Sequence, residues 1–167
     1  MAMITADWVR MMARYNIWQN GCISHAMQTL SVEDLTQDRG AFFGSILRTA
    51  NHLIWADTLW MARFEGDKTP ASNPQDALDL YGSHTEWALA RSAIDERIAS
   101  WAGLLEDKDL QGREKWYSGS QGKEMDLPFA QCVTHFFNHQ THHRGQIHGM
   151  LTQAGIKTDD TDLIFMR

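Results

Sequence analysis

Long segments without proline, in which apolar residues recur every three or four positions, make up most of this 167-residue chain. That period is typical of amphipathic α-helices. It predicts a first helix from Thr5 to Leu30. It also predicts a second helix from Ala41 to Gly66, whose apolar residues cover most of the circumference, as in a helix that is buried on more than one side.

Helix start and stop signals define two further helices. Ser83 and Glu86 have the spacing of a capping box ahead of an amphipathic stretch that ends near Asp107. Pro128 suits the first turn of a fourth helix, which is predicted to continue to residue 154. The segment between these helices, KWYSGSQGKEMDLP, contains turn signals between β-compatible pieces and predicts a short β-hairpin.

Four helices joined by the connectors 31–40 and 67–82 predict an all-α fold, a four-helix bundle that forms one domain over residues 1–167. The sequence contains no internal repeat. The residues after the fourth helix are predicted to pack on the bundle as a tail.

Charge and composition limit the partners of this bundle. Fifteen basic and twenty-one acidic residues give a net charge of -6, and the basic residues are dispersed, which disfavours binding to nucleic acid. No apolar run approaches the length of about 18 residues that a membrane span requires, so no membrane association is expected. Cys22 and Cys132 lie far apart behind a start without a signal-peptide pattern, and the expected compartment is the cytoplasm.

Four histidines occur within twelve residues of the predicted fourth helix, in the segment NHQTHHRGQIHG at 138–149. On a helical wheel His143 lies in the apolar stripe, and His139 lies about 40° to its side. Their i, i+4 spacing places both rings on one face, within reach of a single metal ion. Because such a site needs three or more protein ligands, a third must come from another helix.

His52 is the best candidate for this third ligand, because it lies in the middle of the second predicted helix with apolar residues at +3, +4 and +7. His135 is a further candidate, either as a reserve ligand or as a neighbour of the ligands. His142 is an alternative ligand three residues from His139. The sequence therefore predicts a divalent-metal site formed by His52, His139 and His143.

A purely structural interpretation competes with this one. A single buried histidine is more often a hydrogen-bonded core residue than a ligand. Two neutral imidazoles in an apolar stripe, however, each need a buried polar partner, at about 1–3 kcal/mol per unsatisfied group, and one metal ion satisfies both. His25, His84 and His148 are expected outside the site.

Four further charged or polar residues accompany the candidate ligands on the second and fourth predicted helices. Asp57 and Arg63 are predicted to be surface or interface charges rather than catalytic groups. For Arg144 and Gln146 two roles remain open, since they either face solvent or orient the ligands.

Three segments carry a resemblance to a known family: YNIWQN in the first helix, NHLIWADTLWMARF in the second and NHQTHHRGQIHGML in the fourth. In order and spacing they resemble the marker segments of the DinB/YfiT-like family of metal-dependent four-helix-bundle proteins. The family pattern has one histidine in the second helix and an H-x-x-x-H in the fourth, often followed by R-G-Q. It maps onto His52, His139 and His143, followed by residues 144–146.

The resemblance implies up-down-down-up connectivity, a homodimer, and a divalent ion such as nickel or zinc. Proteins that resemble this fold include thiol-dependent S-transferases. The expected function is therefore the transfer of a low-molecular-weight thiol, such as glutathione or bacillithiol, to small electrophilic molecules, or a related hydrolysis. The alternatives are a non-catalytic metal-binding stress-response protein and a bundle whose histidines are structural.

Overall fold

The computed structural model describes residues 3–70 and 73–166. Positions 1, 2, 71, 72 and 167, which fall in the predicted domain ends, the 67–82 connector and the tail, lie outside the described residues. The helices and strands are α1 (Ala6–Met27), α2 (Val32–Thr36), α3 (Ile46–Glu65), α4 (His84–Leu104), β1 (Arg113–Ser118), β2 (Lys123–Pro128) and α5 (Phe129–Gln153). The helical bundle and the small hairpin predicted from the sequence are both confirmed.

Side-chain caps determine where the helices begin. Thr5, Ser45 and Ser83 precede α1, α3 and α4, and each side-chain oxygen accepts a hydrogen bond from a backbone N–H in the first turn. The predicted capping box at α4 is only half formed, because the Glu86 carboxylate accepts hydrogen bonds from the Ser83 hydroxyl and from the Gly82 backbone N–H rather than from the Ser83 backbone N–H. The first turn of each of these helices therefore has the polar partners that its exposed N–H groups require.

Three predicted helix limits were wrong. The first predicted helix ends at Met27 rather than Leu30. The second predicted helix begins at Ile46 rather than Ala41, because Ala41 and Gly44 form an isolated antiparallel bridge just before the Ser45 cap. The third ends at Leu104 rather than near Asp107. The Asp107 carboxylate instead accepts a hydrogen bond of 2.7 Å from the Ala6 backbone N–H at the start of α1.

The directions of the four long helices follow from their contacts. α1 and α3 each pack against both α4 and α5. α1 is antiparallel to α4, because Ser24 near the end of α1 contacts His84 at the start of α4, and Asn16 contacts Asp95. α3 is likewise antiparallel to α5, because Trp60 and Phe64 near the end of α3 contact His135 and Phe129 near the start of α5. α1 runs parallel to α5, as Trp8–Phe137 and Tyr15–Arg144 show. The connectivity is therefore up-down-down-up.

The core consists of two hydrophobic clusters, one toward each end of the bundle. Between them lies a buried polar layer at the middle of the four long helices. Its members come from all four helices and are less than one tenth exposed: Asn16, Asn20, Asp57, Arg91, Asp95, Gln140 and Arg144. The middle of the bundle is thus held by hydrogen bonds and ion pairs rather than by apolar packing.

Arg91 is the central cation of this polar layer. Its guanidinium lies 2.6 Å from Asp57 on α3 and 2.9 Å from Asp95 on its own helix. Asn16 and Asn20 on α1 donate hydrogen bonds of 3.0 and 2.9 Å to Asp95. Burial raises the pKa of the Asp95 carboxyl to about 6, against the opposing effect of Arg91. Arg91 therefore joins α4 to α3 directly and to α1 through Asp95.

The C-terminal tail packs across α1, as predicted. The Tyr15 hydroxyl donates a hydrogen bond of 2.5 Å to the Thr161 carbonyl, and the Gln19 amide donates one of 3.0 Å to the Asp160 carbonyl. None of the described helices combines the length and the apolar character that crossing a bilayer would require.

Replacing Arg91 by alanine should destabilise the protein by about 3–5 kcal/mol, because Asp57 and Asp95 would remain buried without their cation. Urea denaturation followed by circular dichroism measures this change. Arg97→Ala is the matched control, since Arg97 lies on the same helix but pairs with Glu65 and Asp67 in a solvent-accessible position. It should cost about 1 kcal/mol or less. Equal losses in the two variants would contradict the role of Arg91.

Candidate metal centre

Three histidines converge where α3 packs against α5. His52 lies in the second turn of α3, and His139 and His143 lie one turn apart on α5. The His52 and His139 Nε2 atoms are 3.3 Å apart, and the His143 and His139 Nε2 atoms are 3.1 Å apart. One ligand atom from each of the three residues lies within 4.8 Å of the others. The antiparallel pairing of the two helices therefore brings together the three residues that the sequence predicted.

This geometry fits a divalent ion. Zinc–nitrogen bonds of about 2.0–2.1 Å at tetrahedral angles place any two ligand nitrogens about 3.3 Å apart. The Nε2–Nε2 distances of 3.3 and 3.1 Å in the cluster are close to this value. The chemistry of the cluster also suits an ion, because a neutral imidazole has one donor and one acceptor nitrogen. Where three Nε2 atoms face one another, a single cation accepts all three lone pairs.

Gln146 orients one of these rings. Its side-chain Oε1 lies 2.7 Å from His143 Nδ1, so His143 donates its Nδ1–H to the amide oxygen and turns the lone pair of Nε2 toward the cluster. This contact resolves one of the alternatives that the sequence left open. Arg144 does not have this role, because its guanidinium is buried and donates to the Asn16 side chain in the polar layer.

Burial keeps these imidazoles neutral. Desolvation lowers the pKa of His52 to about 4, and the nearby His143 lowers it further. Desolvation, followed by the neighbouring histidines, lowers the pKa of His139 to about 3. At neutral pH both side chains therefore offer unprotonated nitrogens, which is the form that binds a metal.

Aromatic side chains cover the cluster on one side. The Phe43 ring lies 4.2 Å from the His52 ring and 5.4 Å from the His143 ring, measured between centroids. Trp55 lies 6.0 Å from His52. The position of Phe43 beside the ligands was not predicted, because the helical period places this residue in the first turn of a helix that begins at Ala41. It belongs instead to the bridged segment ahead of the Ser45 cap.

The other histidines lie outside the cluster, within residues 3–70 and 73–166. His135 and His142 are its neighbours: both are exposed, with rings 5.7 Å from His139 and 4.8 Å from His143. The remaining three are remote, and two of them have other partners. His25 is exposed, His84 is hydrogen-bonded to Ser24, and His148 lies 3.4 Å from the Thr158 hydroxyl of the tail.

Asp57 was predicted to be a surface or interface charge, and the structure excludes the surface position. Its side chain is 1% exposed, accepts a hydrogen bond of 3.0 Å from Gln140 and pairs with Arg91. A signal for this was present, since apolar residues cover most of the circumference of this helix, and a charge placed there faces neighbouring helices. Arg63 is half-buried beside the hairpin.

Comparisons with known proteins agree with this architecture. Residues 3–167 match the model of the DinB family. The chain is 28% identical to Protein DinB of Bacillus subtilis (strain 168), over 94% of this chain and 92% of that protein. Its fold is similar to the crystal structure of a DinB-like protein from Bacillus cereus ATCC 10987, with a TM-score of 0.64 and 20% identity over 86% of this chain and 91% of the other.

For the metal-free protein we expect stability to fall as the pH decreases below about 6.5. A histidine in the unfolded chain has a pKa of about 6.5, whereas that of folded His52 is about 4 and that of His139 about 3. Between these values the unfolded chain takes up protons that the folded protein does not, so the free energy of unfolding declines. Urea denaturation from about pH 7 to about pH 4 measures this decline.

The variant His139→Gln tests the assignment. This substitution removes one of the imidazoles whose pKa is lowered in the folded protein. The free energy of unfolding of the variant should therefore depend less steeply on pH over the same range. The same slope for both proteins would show that His139 is not held neutral by the fold.

Proposed function

The chain belongs to the DinB family, and from its histidine cluster we propose that it is a metal-dependent enzyme that binds one divalent ion through His52, His139 and His143. The convergence of three Nε2 atoms carries this proposal. Nickel and zinc are the proposed ions, because imidazole nitrogen is a good ligand for both. Three protein ligands leave a coordination position for a substrate, as in catalytic rather than structural zinc sites.

The proposed reaction is the transfer of a low-molecular-weight thiol, such as glutathione or bacillithiol, to a small electrophile. His52, His139 and His143 would hold a divalent ion that would supply Lewis acidity and so lower the pKa of a bound thiol or water. The thiol sulfur forms a bond to the electrophilic carbon, the leaving group departs with its electron pair, and the thiol proton passes to solvent. The resemblance to thiol-dependent S-transferases supports this choice of reaction.

The chain's own residues prepare the site for this reaction. Burial keeps the ligand nitrogens unprotonated, Gln146 holds His143 in one tautomer, and Phe43 excludes water from one face of the cluster. Asp57 is not the base, because its two oxygens are already engaged by Arg91 and Gln140. No general base is therefore assigned to the chain, and the acidity of the thiol itself supplies the nucleophile.

Metal content and thiol transfer on the same set of variants test this function. After reconstitution with nickel or zinc, elemental analysis should find about one ion per chain. Alanine in place of His52, His139 or His143 should weaken metal binding by at least about tenfold and reduce the conjugation of glutathione or bacillithiol with 1-chloro-2,4-dinitrobenzene to the uncatalysed rate. His148→Ala is the control, since its ring faces the tail, and it should change neither property.

Two results would contradict the proposal in different ways. Full metal occupancy with no transfer of either thiol would favour a non-catalytic metal-binding stress-response protein. Unchanged metal content in His52→Ala, together with a lower melting temperature, would show that the histidines are structural.

We further propose that the partners are small molecules and a second copy of the chain, which forms a homodimer. The large apolar side chains of Phe42, Leu89 and Leu104 are more than three quarters exposed in the single chain, and apolar surface of this kind is commonly covered in an assembly. Light scattering at micromolar concentration should give twice the mass of the 19.1 kDa chain. A monomer mass would refute the homodimer.

A further inference from the structure

A cleft lies at one end of the interface between α3 and α5, called here the α3–α5 seam, where the β1–β2 hairpin packs. The histidine cluster lies on the same seam. The volume of the cleft is about 390 Å³, which is within the range of small-molecule sites. α3 contributes Trp60 and Arg63, α5 contributes His135, and the hairpin contributes Trp116. The cleft thus combines apolar walls with a few polar groups around one cation, Arg63. This is the usual composition of a ligand site.

The cation of this cleft is held by aromatic rings. The guanidinium carbon of Arg63 lies 4.7 Å from the centroid of the Trp60 ring and 5.0 Å from that of Trp116. Both separations are within the range of cation–π interactions. Contact with two indoles holds the plane of the guanidinium in place while leaving its N–H groups free for an acceptor.

No protein group takes up these N–H groups in the part of the chain that the structure describes, since Arg63 forms neither a hydrogen bond nor an ion pair there. Glu114 on β1 is the acidic residue that interacts with Arg63 electrostatically, but it is not close enough to form an ion pair. Five of the eight other arginines that the structure describes pair with a carboxylate, as Arg91, Arg97 and Arg113 do. Arg63 is therefore positioned to bind an external anion.

His135 connects the cleft to the histidine cluster. Its ring lies 5.3 Å from Trp60 on one side and 5.7 Å from His139 on the other, measured between centroids. Along α3, Arg63 is eleven residues beyond His52, a rise of about 16 Å. The Arg63 side chain shortens this span, because helical side chains lean toward the N-terminus. A molecule that occupies both places must be elongated.

We propose that Arg63 binds the carboxylate of an elongated small-molecule substrate and directs the opposite end of that substrate along the seam toward His52, His139 and His143. A carboxylate matches the planar pair of N–H donors of a guanidinium, and its single charge matches the single cation of the cleft. Trp60 and Trp116 provide apolar contact for the adjoining part of the molecule. Reaction at the far end rests on the proposed function, whereas carboxylate binding does not.

Titration of the ¹⁵N-labelled protein with 4-phenylbutyrate, followed through the indole N–H signals, tests this binding. We expect the signals of Trp60 and Trp116 to shift, and the neutral amide 4-phenylbutyramide to bind at least tenfold more weakly. The metal-free and the metal-loaded protein should both bind the carboxylate. The result therefore does not depend on the proposed function, and loss of metal binding alone would leave it unchanged.

Variants at Arg63 complete the test. Arg63→Met keeps an apolar side chain between the indoles but removes the charge, and Arg63→Gln keeps hydrogen-bonding capacity without the charge. Both should bind 4-phenylbutyrate at least tenfold more weakly. Arg113→Gln is the control, because Arg113 lies on the exposed face of the hairpin and pairs with Asp126, and it should bind as the unmodified protein does.

Three results would overturn the proposal. These are no binding of the carboxylate, equal binding of the carboxylate and the amide, and unchanged carboxylate binding in Arg63→Met with a folded circular dichroism spectrum. The last result applies even where Arg63→Gln fails to fold, because the methionine variant retains the packing between the indoles.

Discussion

The contact between Asp57 and Gln140 determines the register of the two helices that form the candidate metal centre. Asp57 lies on α3 five residues beyond His52, and Gln140 follows His139 directly on α5. Because Asp57 is fully buried and also pairs with Arg91, a shift of α5 by one turn would leave buried polar groups without partners, at a cost of about 1–3 kcal/mol each. The polar layer thus holds His52 opposite His139 and His143.

The interior of the bundle keeps its aspartates paired with cations and its clustered histidines neutral. In the polar layer each aspartate has an arginine and amide donors around it, so its charge is balanced inside the bundle. The histidine cluster has other imidazoles, Phe43, Trp55 and Gln146 as neighbours, and burial favours the neutral rings. Proximity of the two environments therefore combines a rigid scaffold with nitrogens that are ready to bind a cation.

Much of the fold could be predicted from the sequence, because periodicity and caps are local properties. Ser83, Glu86 and Pro128 define helix starts that the structure confirms to within a residue. The position of Phe43 could not be predicted, since it depends on the bridge between Ala41 and Gly44 that delays the start of α3. The apolar circumference of the second helix indicates that Asp57 is buried, but its partners Arg91 and Gln140 come from other helices, and the spacing of residues along one helix does not identify them.

Both functional features of the seam use α3 and α5, but they differ in what closes them. The histidine cluster depends on the two helices and on Gln146, all within the bundle. The Arg63 cleft also needs Trp116, which belongs to the hairpin inserted between α4 and α5. A surface hairpin tolerates changes in length and sequence more readily than a buried helix does. Changes in the hairpin would therefore alter the molecule that is proposed to bind at this end while leaving the three histidines on the helices in place.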